Sequence, residues 1–91
     1  MKRRFKRAGK FFVYIVECND GTYYTGYTAS LANRIKEHNN SKRGAKYTRD
    51  RGPVRLVWSK EYRYFKKAFL EEKRIKALTK KQKEKLVNGE S

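Results

Sequence analysis

Three stretches of the chain place β-branched and aromatic residues in the pattern of β-strands. Phe11–Cys18 is an almost continuous apolar run, and Thr22–Tyr27 follows it closely. The turn signal Asn19-Asp20-Gly21 lies between them, so the two stretches are predicted to form a β-hairpin. Val54–Lys60 alternates between its two faces and is predicted as a third strand.

The loop length of this hairpin decides which side chains share a face of the sheet. A two-residue loop would pair Glu17 with Tyr24 and would put Tyr14 and Tyr24 on opposite faces. A three-residue loop with Gly21 in the left-handed conformation would instead pair Val16 with Tyr24. The two tyrosines would then be diagonal neighbours on one face. We predict the three-residue loop.

The first predicted helix follows the hairpin and ends near Asn39. Either Thr28 or Ser30 is suited to cap its start. Arg34 and His38 are four residues apart, so they lie on one face of this helix.

Two further helices are predicted in the last third of the chain. Residues 64–78 have a helical pattern, and Thr79-Lys80-Lys81-Gln82 has the form of a capping box that starts a separate helix. Gly89 is predicted to end that helix. Residues 39–53, which are polar and basic, are predicted as a long loop, and such length is typical of a functional loop.

The predicted order of elements, β-β-α-β-α-α, indicates an α+β domain. It would have a small three-stranded, mostly antiparallel sheet, packed with three helices. Residues 1–10 are predicted as a flexible basic arm and residues 11–88 as a single domain.

Charge and composition indicate what the protein binds and exclude some kinds of site. The 91 residues include 25 Lys and Arg against 9 Asp and Glu, a net charge of +16, while an aromatic content of 14% argues against disorder. A polyanion is therefore the expected partner. One cysteine and one histidine exclude a disulfide framework and a four-ligand zinc site. We expect no membrane span, no small-molecule cofactor, a cytoplasmic location and a monomer.

Few residues remain that suit catalysis. The chain has no glycine-rich phosphate loop, so an enzyme here would work with Tyr, Arg, His and Glu. Periodicity does not choose between Glu71 and Glu72 on the second predicted helix. Each candidate also has an ordinary structural explanation: strand tyrosines pack, and Glu72 suits an ion pair with Lys76.

Taken together, these residues resemble the GIY-YIG nuclease domain, and especially its compact single-domain bacterial subgroup. The resemblance rests on Phe12-Val13-Tyr14, Tyr24-Thr25-Gly26, Arg34, His38 and Glu72. Phe12 stands where the family's first motif has glycine, and Thr25 where its second motif has isoleucine. The likeness covers residues 11–87, with supporting stretches at residues 24–28, 44–49 and 72–79.

The resemblance implies a role for each matching residue. Tyr14 and Tyr24 match the tyrosines of the two motifs, one of which orients or deprotonates the attacking water with help from His38. Arg34 matches the arginine that neutralises the scissile phosphate. Glu72 matches the carboxylate that holds one divalent metal, Mg²⁺ or Mn²⁺, and this resemblance is what selects it over Glu71.

A second set of residues is predicted to bind nucleic acid. They are basic or aromatic residues of the long loop, together with one lysine of the second helix. Such a combination suits contacts with nucleic-acid phosphates and stacking on a base. The residues are Lys42, Arg43, Lys46, Tyr47, Arg49, Arg51 and Lys76.

The first hypothesis is a metal-dependent DNA endonuclease that recognises structure or damage, as in repair or recombination. The alternative is a module that binds DNA or RNA without catalysis and retains the same fold. A third hypothesis is an accessory subunit that a partner activates.

Overall fold

A computed structural model describes residues 8–39 and 52–89. Within them the elements are β1 (Ala8–Glu17), β2 (Tyr23–Thr28), α1 (Leu31–Asn39), β3 (Arg55–Tyr64), α2 (Phe65–Lys76) and α3 (Lys80–Val87). This order confirms the predicted α+β class. Most of the predicted long loop, and residues 1–7 of the predicted arm, lie outside the described residues.

All three strands pair antiparallel, in the spatial order β2-β1-β3, so β1 is the central strand. Residues 8–10 belong to β1, and placing them in a flexible arm was therefore wrong. The physical reason is that β3 continues to Tyr64, beyond the predicted end at Lys60, and Ala8 pairs with Tyr64. Backbone pairing along this longer β3 extends both strands past the limits that the hydrophobic pattern suggests.

The hairpin between β1 and β2 has the predicted three-residue loop. Val16 lies opposite Tyr24, and the Cys18 N–H donates to the Thr22 carbonyl at 2.8 Å. Gly21 has a φ of 85°, a left-handed conformation that glycine adopts without steric cost. The prediction that Tyr14 and Tyr24 share one face is therefore confirmed.

The sheet is the middle layer, because β1 is apolar on both faces. Val13 and Ile15 point toward α2, where they pack with Ala68 and Ile75. The opposite face of β1 packs against α1 and the segment before β3, through Tyr14, Val16, Cys18, Val54, Leu31 and Ile35. These two small clusters hold one helix layer on each side of the sheet.

The predicted helix ends are largely confirmed. The Thr79 hydroxyl accepts from the Gln82 N–H while the Gln82 side chain accepts from the Thr79 N–H, a complete capping box at the start of α3. Gly89 follows this helix with a φ of 80°. At the start of α1, the Ser30 carbonyl accepts from the Arg34 N–H. α2 ends at Lys76, two residues before the predicted end at Leu78.

No helix in residues 8–39 or 52–89 is long and apolar enough to cross a membrane.

Candidate active site

The five predicted catalytic residues come from four elements of the fold. Tyr14 lies on β1, Tyr24 on β2, Arg34 and His38 on α1, and Glu72 on α2. The first four belong to the face of the sheet that α1 covers. Glu72 belongs to the other helix layer, and what links it to the other four is the effect of its charge on Tyr14.

Tyr14 and His38 form the buried part of the site. The Tyr14 hydroxyl lies 2.8 Å from Nε2 of His38, and each residue is only 1% exposed. The Tyr24 ring meets the same imidazole edge to face, with 5.4 Å between ring centroids. His38 therefore links the two tyrosines, and of the two only Tyr24 is partly exposed to solvent.

The space for the Tyr14 ring depends on the glycine of the second motif. Gly26 lies opposite Tyr14 on the neighbouring strand. A Cβ at Gly26 would lie 2.6 Å from the Tyr14 hydroxyl oxygen and 2.8 Å from Cζ. Gly26 is needed here because the Tyr14 ring extends across β2 at this position.

Burial sets the protonation states of this pair. The pKa of Tyr14 is raised to about 12, mainly by burial; electrostatic interactions with Tyr24 and Glu72 also raise this pKa, and the hydrogen bond with Arg34 opposes them. Burial and, to a smaller extent, the nearby Arg34 charge together lower the pKa of His38 to about 4, while the charge of Glu37 opposes them. At neutral pH the phenol is therefore protonated and the imidazole is neutral. Arg34 donates to the phenol oxygen, and the same hydroxyl shares a hydrogen bond with Nε2 of His38.

Arg34 is held from two sides. Its Nη1 donates to Oε1 of Glu37 at 2.8 Å, one turn along α1, and it also hydrogen-bonds the Tyr14 hydroxyl. Burial lowers the pKa of Arg34, but these two hydrogen bonds outweigh it and the net pKa is raised. The result is a fixed, partly exposed guanidinium beside the tyrosines.

Glu72 and Glu71 have different surroundings, which the sequence pattern does not reveal. Glu72 is 8% exposed and faces the sheet, and its Oε2 lies 3.2 Å from Nζ of the exposed Lys76. Glu71 instead makes two hydrogen bonds of 2.7 Å to the guanidinium of Arg74. Of the two carboxylates, Glu72 is the one whose charge acts on Tyr14.

The donor chemistry around Glu72 limits which metal suits the site. Residues 8–39 and 52–89 contain no group of three His, Cys, Asp or Glu that would form a protein cage for a metal. A single carboxylate oxygen is a hard ligand, and Mg²⁺ is commonly bound by one or two carboxylates while it keeps several waters. The donor set therefore fits Mg²⁺ or Mn²⁺ bound mainly by Glu72, water and substrate.

Of the predicted nucleic-acid-binding residues, the structure describes Lys76 alone, which is exposed beside Glu72. The remainder of that set lies between residues 40 and 51, outside the described part of the chain.

Sequence reasoning missed the part that Asn39 plays. Its side-chain amide donates to the Val54 carbonyl at 3.2 Å, and its Oδ1 accepts from the Val54 N–H at 2.7 Å. This pair of bonds ties the end of α1, next to His38, to the start of β3. A polar residue at a helix C-terminus is too common to signal such a contact.

The fold has a counterpart in a known protein family. A family model described as the GIY-YIG catalytic domain matches residues 10–85, and the chain belongs to this family. Membership points to nuclease chemistry and to nucleic acid as the partner in general terms.

The chain is also similar to compact proteins that carry only a family number as a name. It is 51% identical over 79 residues to the UPF0213 protein DP2720 of Desulfotalea psychrophila, covering 87% of this chain and 72% of that protein. It is 49% identical over 78 residues to SERP0126 of Staphylococcus epidermidis, covering 86% and 94%. The solution structure of BH0048 from Bacillus halodurans superimposes with a TM-score of 0.57 at 47% identity, covering 87% and 83%.

Proposed function

We propose that this protein is a divalent-metal-dependent endonuclease that hydrolyses phosphodiester bonds in DNA. The observation that carries the proposal is the network in which one guanidinium, Arg34, is fixed by the Tyr14 hydroxyl while Tyr14 is in turn fixed by His38. A buried carboxylate, Glu72, lies near enough for its charge to act on the same phenol. Such a set suits the charge that develops on a phosphate during hydrolysis.

Each side chain of the network then takes a role that fits its exposure. Arg34 binds a non-bridging phosphate oxygen with its planar set of donors. Tyr24, the more exposed tyrosine, orients the attacking water. Tyr14 and His38 are buried and hold Arg34 and Tyr24 in position. The water oxygen bonds to phosphorus and gives up a proton as one P–O ester bond breaks, and the leaving alkoxide takes up a proton to become an alcohol.

Glu72 is the proposed ligand of Mg²⁺ or Mn²⁺. When bound, the metal polarises the phosphate and stabilises charge on the leaving oxygen. In the structure Lys76 forms an ion pair with this carboxylate. Because Lys76 is exposed, its ammonium group can move into water at little cost in free energy when a metal binds Glu72.

Recognition of DNA structure or damage, as in repair or recombination, completes the proposal. A basic surface contacts phosphates, and these contacts carry no sequence information.

The test compares two carboxylates that are neighbours in the chain. Glu72→Gln is expected to abolish Mg²⁺-dependent nicking of labelled branched, duplex and single-stranded DNA. Glu71→Gln is the matched control, since it removes a charge from the same helix turn, and it should nick as the wild type does. Arg34→Ala should lower the rate by about 10²–10³-fold, the usual loss for one preorganised donor to a transition-state charge.

The same assay can contradict the proposal. If the wild type binds these DNAs but cleaves none of them with Mg²⁺ or Mn²⁺, the protein is a binding module that retains the fold. If Glu72→Gln cleaves as fast as Glu71→Gln, the assignment of the metal ligand is wrong.

A further inference from the structure

Aromatic rings form a partly exposed strip beside Glu72. The strip consists of Tyr27 on β2 and Phe65 and Phe69 on α2. The Tyr27 and Phe65 rings meet edge to face at 5.6 Å between centroids, and the Phe65 and Phe69 rings stack at 5.9 Å with 24° between their planes. Tyr27 and Phe69 are each 40% exposed, although aromatic rings of this size gain most from burial.

The strip leads directly to the proposed metal ligand. Phe65, Phe69, Glu72 and Lys76 are spaced four, three and four residues apart, so they follow one stripe along α2. Phe69 and Glu72 are separated by about 4.5 Å along the helix axis, from the rise of about 1.5 Å per residue. Stacked nucleotides of one strand are about 3.4 Å apart. Along this axis, Phe69 and Glu72 are therefore separated by about one nucleotide step.

The charges around the strip favour a nucleic acid as its occupant. Nζ of Lys73 lies 5.3 Å from the centre of the Phe69 ring. Both acids of α2 are already paired, Glu71 with Arg74 and Glu72 with Lys76. Lys66, which is exposed on the same helix about 60° around the axis from Phe69, adds positive charge beside the strip. An aromatic strip with this basic border offers stacking and phosphate contacts together.

We propose that the strip formed by Tyr27, Phe65 and Phe69 binds an unpaired nucleotide beside the scissile phosphate, so that single-stranded DNA at or next to the cleaved bond is the preferred substrate. Inside a duplex each base face is covered by its neighbours, whereas an unpaired base can stack on a side chain. The position of the nucleotide relative to the cleaved bond rests on the proposed function. The preference for unpaired DNA rests on the strip alone.

The test measures binding without cleavage, in EDTA. Fluorescence anisotropy compares a labelled single-stranded oligonucleotide with a closed hairpin duplex of equal phosphate number. Phe69→Ala is expected to weaken single-strand binding by about 5- to 150-fold, the range for loss of one base–aromatic stack, and to leave duplex binding within about twofold. Phe69→Tyr, which keeps an aromatic ring, should restore binding.

Leu70→Ala is the matched control. Leu70 is 53% exposed on the same helix and lies about 100° around the axis from Phe69, away from the strip. It should bind both DNAs as the wild type does. Circular dichroism melts of all variants show that each is folded at the assay temperature.

Several outcomes would overturn the proposal. In one, Phe69→Ala binds single strands as the wild type does; in another, it loses single-strand and duplex binding equally. In a third, sedimentation shows that Phe69→Ala dissociates a dimer while its DNA binding is unchanged, and the strip is then an interface between copies. Because binding in EDTA needs no catalysis, a failure here is distinct from a failure of nicking in the Glu72→Gln assay.

Discussion

Replacing Gly26 by alanine tests whether the Tyr14 ring is held as the structure shows. The added Cβ would lie 2.6 Å from the hydroxyl oxygen and 2.8 Å from Cζ of Tyr14. Real Cβ contacts are essentially never this short, so the ring must shift. Tyr14 is 1% exposed and hydrogen-bonded to His38, so a shift disrupts packing and that bond together.

The expected cost follows from this overpacking. An extra methyl group forced into a well-packed site typically destabilises by about 1–3 kcal/mol. In a domain of this size each kcal/mol lowers the melting temperature by about 4–8 °C. Gly26→Ala should therefore melt at least about 4 °C below the wild type, as measured by circular dichroism or calorimetry.

Gly9→Ala is the matched control, because it also adds one methyl group to a strand. The nearest atoms to its Cβ belong to the Phe11 ring, at 3.7 and 3.8 Å, which is ordinary contact. This variant should be as stable as the wild type or slightly more so.

A double-mutant cycle isolates the steric contact. Tyr14→Phe removes the atom nearest to the new Cβ, although alone it loses the hydrogen bond to His38. The double variant should therefore be less destabilised than the sum of the single variants, by about 0.5 kcal/mol or more. Two results would refute this packing of Tyr14. One is that the changes in free energy of unfolding are strictly additive, and the other is that Gly26→Ala melts at the same temperature as Gly9→Ala.

Three further predictions concern pH, capping and salt. The pKa of His38 is lowered from 6.5 to about 4, so below pH 6.5 the unfolded chain binds a proton that the folded chain does not. The contribution of neutral His38 to the free energy of unfolding is fully present above pH 6.5 and is lost as the pH falls toward 4, a change of about 3 kcal/mol. Urea unfolding should show this loss in the wild type and not in His38→Gln. Thr79→Ala removes the cap of α3 and should cost about 0.5–2 kcal/mol in thermal or urea unfolding; an unchanged midpoint would contradict the capping box. The affinity for duplex DNA should fall steeply as the salt concentration rises. The triple variant Lys46→Ala, Arg49→Ala and Arg51→Ala should reduce the slope of log K against log salt by about 0.9 for each phosphate that the protein no longer neutralises. An unchanged slope would exclude the loop from binding.

The hairpin and the last helix could be predicted because their signals are local. Asn19-Asp20-Gly21 specifies its own turn, and Thr79-Lys80-Lys81-Gln82 its own cap. The register of β1 and β2 follows from that turn, and with it the shared face of Tyr14 and Tyr24. Each of these features depends on residues only a few positions apart.

The length of β3 and the burial of the site residues could not be predicted, since both depend on distant contacts. Beyond Lys60 two charged residues alternate with Tyr62 and Tyr64, and pairing with the start of β1 keeps this segment in the strand. Glu71 and Glu72 both border the apolar face of α2, and they differ in burial and in ion partner, which the folded contacts decide. Likewise, the protonation of His38 depends on burial between α1 and the sheet.

The central position of β1 has a consequence for synthesis of the chain. On the ribosome, β1 and β2 emerge early and can form a hairpin, but β3 begins 38 residues after the end of β1, at the Arg55 that contacts Glu17. Until β3 emerges, one edge of β1 has open backbone groups beside a largely apolar strand, the kind of edge that pairs with other chains. Glu72 is released later still. A nascent chain therefore spends an interval as an aggregation-prone hairpin, and the full set of site residues is present only when most of the domain has been made.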